Sequence, residues 1–412
     1  MLFHLMAQTK APAKKPKLDE DERDRRWKLI REGMSKQGID LLVTVPQWMN
    51  VDSLYVANEP GAVIFPLEGE PWIVLGGEDS HRAVDRPGQW ITQRSSATPG
   101  GSTRAPFGAA VGDVIKKLGL KPKRLAIAGL DGHDFIHVRM PEGYVGYTTA
   151  KQISAAVPDA ELIDGSDVLA WPRGVKSEIE LDLLRFGLGL TERAVIAIGE
   201  ALDQGGTQAE AYRGGTDALL VPEADGGHIA WCPAAWGEER PRLTSPPPGE
   251  VTPGLCVAVE AMSVVRGYEP ALAEPFLIGD INAEQEEAFA LNNLAFDTAL
   301  AALKPGRTWG EIEREVIAVA EGTNWKIDFL LHGRGMGHDG PLLIPTDSHE
   351  RYEDVPVREG AVFVVKPNAF PRRFDVAQSR SHDVNWGDTV VVKAGGGERL
   401  GTRSRELRSY GP

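Results

Sequence analysis

The sequence predicts an α+β chain in two parts: a smaller α/β N-terminal domain, then a larger one in which helices lie against a sheet. Three observations carry this. Between Asp19 and Pro172, amphipathic stretches alternate with short apolar runs. A helix opener, Lys176-Ser177-Glu178-Ile179-Glu180, then starts about six turns of helical periodicity. Beyond it, four strand-like runs are interleaved with three further helical stretches.

Taken in order, residues 1–18 read as a disordered tail, with Met6 as a candidate initiator and alternating Ala, Pro and Lys from Lys10 to Lys17. Asp19 to Gln37 is charged, with Trp27, Leu29, Ile30 and Met34 near helical spacing and Gly38 as a stop. Ile39 to Val45 reads as a strand, and Gly61–Pro66 with Pro71–Leu75 as two more. Ala109–Leu118 is an amphipathic helix, Arg124–Ala128 a strand, Val145–Val157 a helix and Ala160–Asp164 the last strand of this half. The boundary is placed near Arg173, giving domains 19–172 and 173–412.

In the second half Ser177 can cap a helix whose Ile179, Leu183, Phe186, Leu190, Ala194 and Ile198 share one face. Helices follow at Thr207–Leu220, Ala283–Leu303 and Thr308–Gly322. The strand runs are His228–Cys232, Leu255–Met262, Ala361–Val365 and Thr389–Lys393.

Composition limits the function. A net charge of −14 argues against a nucleic-acid binder, since phosphate contact needs a basic face. No stretch reaches the roughly 20 consecutive apolar residues of a membrane helix. Two cysteines, Cys232 and Cys256, are too few for a disulfide framework and suit a reducing compartment, so a cytoplasmic protein is expected.

The stretch with most chemistry is Leu331-His332-Gly333-Arg334-Gly335-Met336-Gly337-His338-Asp339-Gly340-Pro341, flanked by apolar runs. Two histidines, an arginine and an aspartate threaded through glycines read as an active-site loop, poor in helix and strand propensity. The plainer reading is a glycine-rich turn whose histidines cap their neighbours.

These residues carry a resemblance to the pita-bread family of creatinase, aminopeptidase P and prolidase. His332-Gly333-Arg334-Gly335 with His338-Asp339-Gly340-Pro341 resembles that family's His-Gly-x-Gly and His-Glu-x-Pro pair. Gly360 to Pro367 resembles its strand ending in Glu-Pro, and Gly387-Asp388-Thr389-Val390 its final Glu-Asp strand. The resemblance implies a C-terminal pita-bread catalytic domain behind a creatinase-type N-terminal domain, and a homodimer.

It also implies what is missing. The family's peptidases hold two metal ions with two aspartates, a histidine and two glutamates, a hard-oxygen set. By the resemblance, the aspartate positions, counted from the shared Gly267-Tyr268, fall on Glu260 and Ala271, the histidine on His332 and the glutamates on Lys366 and Gly387. An ammonium group thus stands where a dication would, and neither metal nor other cofactor is expected. Gly267 to Leu272 follows the creatinase pattern more closely, yet that enzyme's catalytic histidine falls near Leu243.

The candidate catalytic residues are His332, His338, Glu260 and Lys366, able together to move protons near neutral pH. The alternative for Glu260 is a carboxylate that merely pairs with Lys366 to fill a vacated site. Candidate substrate-binding residues are His228, Trp231 and Trp236 on one strand and loop, with Tyr268, Arg334 and Asp339. Tyr268 either donates into the pocket or is packed, Arg334 either binds an oxyanion or faces solvent, and each tryptophan is either a recognition surface or core. The function expected is metal-independent cleavage of a C–C or C–N bond of a small aromatic molecule, a lyase ahead of a creatinase-like hydrolase. The alternatives are an Xaa-Pro dipeptidase and an inactive binding protein.

Overall fold

The computed structural model describes residues 14–46, 51–76, 88–97, 107–131, 143–239, 243, 245–339, 342–343, 353–374 and 384–411. Residues 1–13 of the expected tail, and Gly340 and Pro341 of the glycine-rich string, lie outside them. The chain forms two compact units. One comprises Lys17–Ile179 with Met336–Gly340, the other Glu180–Gly335 with Pro341–Pro412. The division thus falls between Ile179 and Glu180 rather than near Arg173, because the helix Ser166–Gly174 still belongs to the first unit.

In the first unit the helix Glu20–Gln37 starts where the Asp19 carboxylate accepts the Glu22 N–H at 3.0 Å, with three acidic residues in the positive first turn. Gly38, at φ 65°, ends it. Strands β1 (Leu41–Thr44), β2 (Ala62–Pro66), β3 (Trp72–Leu75), β4 (Gln93–Ser96), β5 (Arg124–Ile127) and β6 (Glu161–Asp164) form one sheet in the order β4-β3-β2-β1-β5-β6. β1–β2 and β2–β3 are antiparallel and the remaining pairs parallel. The helices Phe107–Lys117 and Tyr147–Ser154 contribute Val111, Ile115 and Ile153 to a core shared with Val43, Ile64, Val74 and Ile127. The helix Asp52–Ala57 and the polar strand β4 have no clear apolar pattern and are not legible in the sequence.

The second unit contains β7 (Gly226–Ala235), β8 (Leu255–Val264), β9 (Ala271–Ile278), β10 (Trp325–Gly333), β11 (Leu342–Leu343), β12 (Val362–Pro371), β13 (Asp388–Lys393), β14 (Gly396–Arg399) and β15 (Ser409–Tyr410). They form two sheets, β11-β10-β12-β13-β14 and β15-β9-β8-β7. The helix Glu178–Asp203 buries Leu183, Phe186, Leu190, Ala194 and Ile198. It comes close to β8 at Gly187, whose carbonyl accepts the Ser263 hydroxyl at 2.7 Å, and a Cβ at Gly187 would stand 2.9 Å from that oxygen. Helices Gln208–Leu219, Ala283–Ala302 and Trp309–Ile317 each open with a capping box, from Thr207, Asn282 and Thr308. The last is shorter than expected and passes into a 3₁₀ turn at Ala318–Ala320.

The glycine-rich string is not all loop. β10 runs through Leu331, His332 and Gly333, paired residue for residue with β12 from Trp325↔Pro371 to Gly333↔Phe363. Pairing along a fully buried partner strand outweighs the poor strand propensity of Gly333. β9, unanticipated because Pro275 interrupts it, is aligned by β8 in the same way.

The two sheets are tied together at the start of β13. Ala273 and Gly387 exchange backbone hydrogen bonds of 3.1 Å each, and the Thr389 hydroxyl donates to the Ala271 carbonyl at 2.7 Å while accepting its N–H at 3.0 Å. Thr389→Val keeps the shape and strands a buried N–H and C=O, so the second unit should lose about 2–4 kcal/mol. Urea denaturation should then show a lower midpoint with an unchanged slope.

Candidate active site

The sheet junction brings together Glu260, His332, Arg334 and Lys366, with Ala271 and Gly387 on the strands that join there. On β8, Glu260 lies opposite Ala273 of β9, and Met262 opposite Ala271. On β10, His332 lies opposite Val364 of β12, and Leu330 opposite Lys366. Alternation along each strand then puts Glu260 and Met262 on one face and His332, Val364 and Lys366 on another. Met262, Ala271 and Val364 pack as one apolar cluster beside the charges.

Glu260 is the hub. Its Oε1 accepts from the Lys366 ammonium at 2.8 Å and from Arg334 Nη2 at 3.3 Å. The same Nη2 lies 3.3 Å from His332 Nε2, and His332 Nδ1 lies 3.3 Å from the Gly333 carbonyl. Lys366, Arg334 and His332 are buried, at 3%, 0% and 5% exposure. A low dielectric strengthens each of these contacts and makes removal of any one partner costly.

This donor set does not fit a divalent metal. Ala271 and Gly387 have no ligating atoms, and the carboxylate that remains already holds two cations. Among the described residues no group of three or more His, Cys, Asp and Glu side chains is arranged to hold an ion. Lys366 and Gly387 are also linked sterically. A Cβ at position 387 would fall well inside contact distance of Lys366 Cγ and 2.7 Å from the Val365 carbonyl, so the lysine stem fills the space a side chain there would need.

Behind the junction stands Arg403, which the sequence reading missed for want of any motif around it. Its guanidinium donates to the carbonyls of Ala273, at 3.1 Å, and of Gly387, and to the Glu274 carboxylate. The chain at Thr402 and Arg403 is held by Glu192, which accepts both backbone N–H groups at 2.5 and 3.0 Å. Burial pushes Glu274 up to about 7 against the opposing charge of Arg403, and raises Asp388 despite Arg403 and Arg399.

Other sequence candidates lie elsewhere. Trp231 is wholly buried, donates Nε1–H to Gln208 at 3.1 Å and packs edge-on against Tyr212, while its backbone pairs with Leu243. It is core. Trp236 lies six residues beyond Ala230, the neighbour of Glu260, or on the order of 20 Å along extended chain. There it donates to Glu284 at 2.8 Å and packs on Phe374. Tyr268 is wholly buried and gives its hydroxyl to Glu180 at 2.7 Å, which removes it as a donor to substrate. Arg334 does not face solvent. His228, opposite Met262, shares the Glu260 face of the sheet and is exposed.

Asp339 and His338 belong to the first unit. Asp339 is buried and accepts from Arg173 at 2.7 Å and Lys176 at 2.9 Å, while Arg173 also donates to Asp52 at 2.5 Å and to the Met336 carbonyl at 2.6 Å. Asp339 is therefore a structural counter-ion rather than a substrate ligand. Buried against Asp52, the Tyr144 phenol is raised well above its usual range.

Comparison with known proteins agrees with this architecture. The profile of metallopeptidase family M24 matches residues 182–394. A creatinase from a Bacillus species is 22% identical over 382 residues, covering 86% of this chain and 82% of that protein. An Xaa-Pro dipeptidase from Pyrococcus furiosus is 22% identical over 279 residues, 65% of this chain and 74% of that one. The chain spans about half, 52%, of an uncharacterised hydrolase/peptidase from Sinorhizobium fredii that it also matches. The prolidase structure from Pyrococcus horikoshii superposes with a TM-score of 0.69 at 18% identity, over 93% of this chain and 99% of that one. The fold is thus α+β and pita-bread.

Steric linkage of Lys366 and Gly387 can be measured. Gly387→Ala should cost about 1–3 kcal/mol through overpacking. In a Lys366→Ala background the same change should cost at least about 0.5 kcal/mol less, read from a double-mutant cycle of thermal or urea midpoints. Equal costs in both backgrounds would show that the lysine stem does not fill that space.

Proposed function

Since the chain belongs to metallopeptidase family M24, yet carries an ammonium group and a guanidinium on the one carboxylate left at that family's ligand positions, we propose that it is a metal-independent enzyme cleaving a C–C or C–N bond of a small molecule by acid–base chemistry. The observation that carries the reading is the 2.8 Å contact between Lys366 and Glu260. Peptide hydrolysis in this family's manner needs a Lewis acid, and the side chains at 271, 366 and 387 cannot hold one. A fixed ammonium can instead stabilise an oxyanion developing on substrate, beside a guanidinium that binds anionic oxygen. Such groups suit elimination or retro-aldol-like cleavage as well as addition of water, and we favour a lyase over a creatinase-like hydrolase.

The expected aromatic substrate is not carried forward, because Trp231 is core and Trp236 is engaged with Glu284 away from Glu260. The cations favour a substrate bearing a carboxylate or forming an enolate. A second reading, an inactive binding protein, draws on the same cluster: buried groups that satisfy one another can also fill a vacated site.

Metal analysis of purified protein should find no stoichiometric divalent ion, and chelators should leave activity intact. Two tightly held ions per chain would sink the proposal. Once a substrate is found by metabolite screening, Lys366→Met should slow turnover by about 10²–10³-fold, the range for one oxyanion donor. Wild-type turnover in that variant, with the fold preserved, would favour the lysine as a structural substitute.

A further inference from the structure

We infer that Arg334 is a positioning residue that takes the place of a metal ion at His332, fixing the imidazole with its proton on Nδ1 and a bare Nε2. The inference rests on the reading of the Glu260 cluster as the reaction centre, but its test requires neither substrate nor turnover.

His332 lies near the end of β10 and Arg334 just beyond it, two residues on and still bonded to the Val362 carbonyl, so their side chains leave the chain on the same side. Nη2 of Arg334 lies 3.3 Å from His332 Nε2. A guanidinium has five N–H donors, no acceptor, and stays charged throughout the range in which proteins are folded. The ring nitrogen facing it can therefore only accept. On the other side of the ring, Nδ1 lies 3.3 Å from the Gly333 carbonyl, which has no hydrogen to give. That nitrogen must donate. The two contacts are independent and assign the same tautomer. The opposite one would set N–H against N–H at one edge and lone pair against lone pair at the other.

The guanidinium is itself held in place. Arg334 is wholly buried, its backbone N–H donates to the Val362 carbonyl at 2.8 Å, Nη1 lies 3.8 Å from the Met262 sulfur, and Nη2 also reaches Glu260. A metal-bound histidine presents the same pattern, a bare nitrogen to the cation and the other N–H to a backbone carbonyl. Here a fixed guanidinium N–H faces the bare nitrogen and keeps the imidazole in the orientation and tautomer of a ligand. With both ring nitrogens so used, His332 does not take the proton in the proposed reaction. Its part is to couple Arg334, and through it Glu260, to the β10 backbone.

The test is a two-bond ¹H–¹⁵N correlation spectrum of the full chain labelled in its nine histidines, with His332 identified by the signals lost in His332→Gln. The wild type should show a protonated Nδ1 and an unprotonated Nε2 at neutral pH. Arg334→Met should abolish that fixed pattern, giving a tautomeric mixture, and Arg334→Lys, which retains a donor, should restore it in part. A wild-type His332 with its proton on Nε2, or on both nitrogens, overturns the inference. So does an Arg334→Met spectrum identical to the wild type, since the Gly333 carbonyl alone would then set the tautomer. Should Arg334→Met fail to fold, the wild-type spectrum still decides the tautomer, and Arg334→Lys decides whether a donor at 334 is what fixes it. Loss or retention of turnover in Lys366→Met bears on the proposed reaction and leaves this result untouched.

Discussion

The ion pair between Lys366 and Glu260 is the constraint on which the second unit's centre depends. Both groups sit where two sheets meet, and Lys366, 3% exposed, needs the Glu260 carboxylate there as its counter-charge. The ammonium supplies a charge at the junction without coordination geometry. An alanine at 271 packs with Met262 and Val364, and a glycine at 387 leaves room for the lysine stem.

Around that pair the structure is braced from behind rather than from within. Thr389 and the Ala273–Gly387 backbone exchange tie the sheets together, and Arg403 caps the same two carbonyls. Arg403 is held in turn by Glu192 from the long helix. This support uses backbone groups and charged side chains remote in sequence, and it fixes the strands that carry Glu260, Lys366 and His332. A site of this kind is preorganised, since its polar groups are oriented before any ligand arrives.

The first unit contains a separate buried charge cluster with its own logic. Arg173 has burial opposing its charge, and Asp339 and Asp52 more than offset that cost, so its pKa is raised. The same guanidinium contacts the Met336 carbonyl and the Asp339 carboxylate, and so holds both ends of the short segment that bears His338. Removing either carboxylate would leave a buried cation, which explains why Asp339 is committed to structure.

Most of the longer helices were legible from the residues alone, because capping residues and apolar periodicity are local signals. Asp19, Thr207, Asn282 and Thr308 start their helices where they stand in the chain. The family resemblance was legible in the same way, since its ordered motifs need no coordinates. The tertiary structure decided what those residues do. Gly333 reads as loop until β12 supplies a partner strand, and Pro275 hides β9 until β8 aligns it. Tyr268, Trp231 and Asp339 look like recognition residues until Glu180, Gln208 and Arg173, distant in sequence, claim their polar atoms. Arg334 became the guanidinium shared by Glu260 and His332 only once two strands of different sheets faced each other, and no local pattern encodes that meeting.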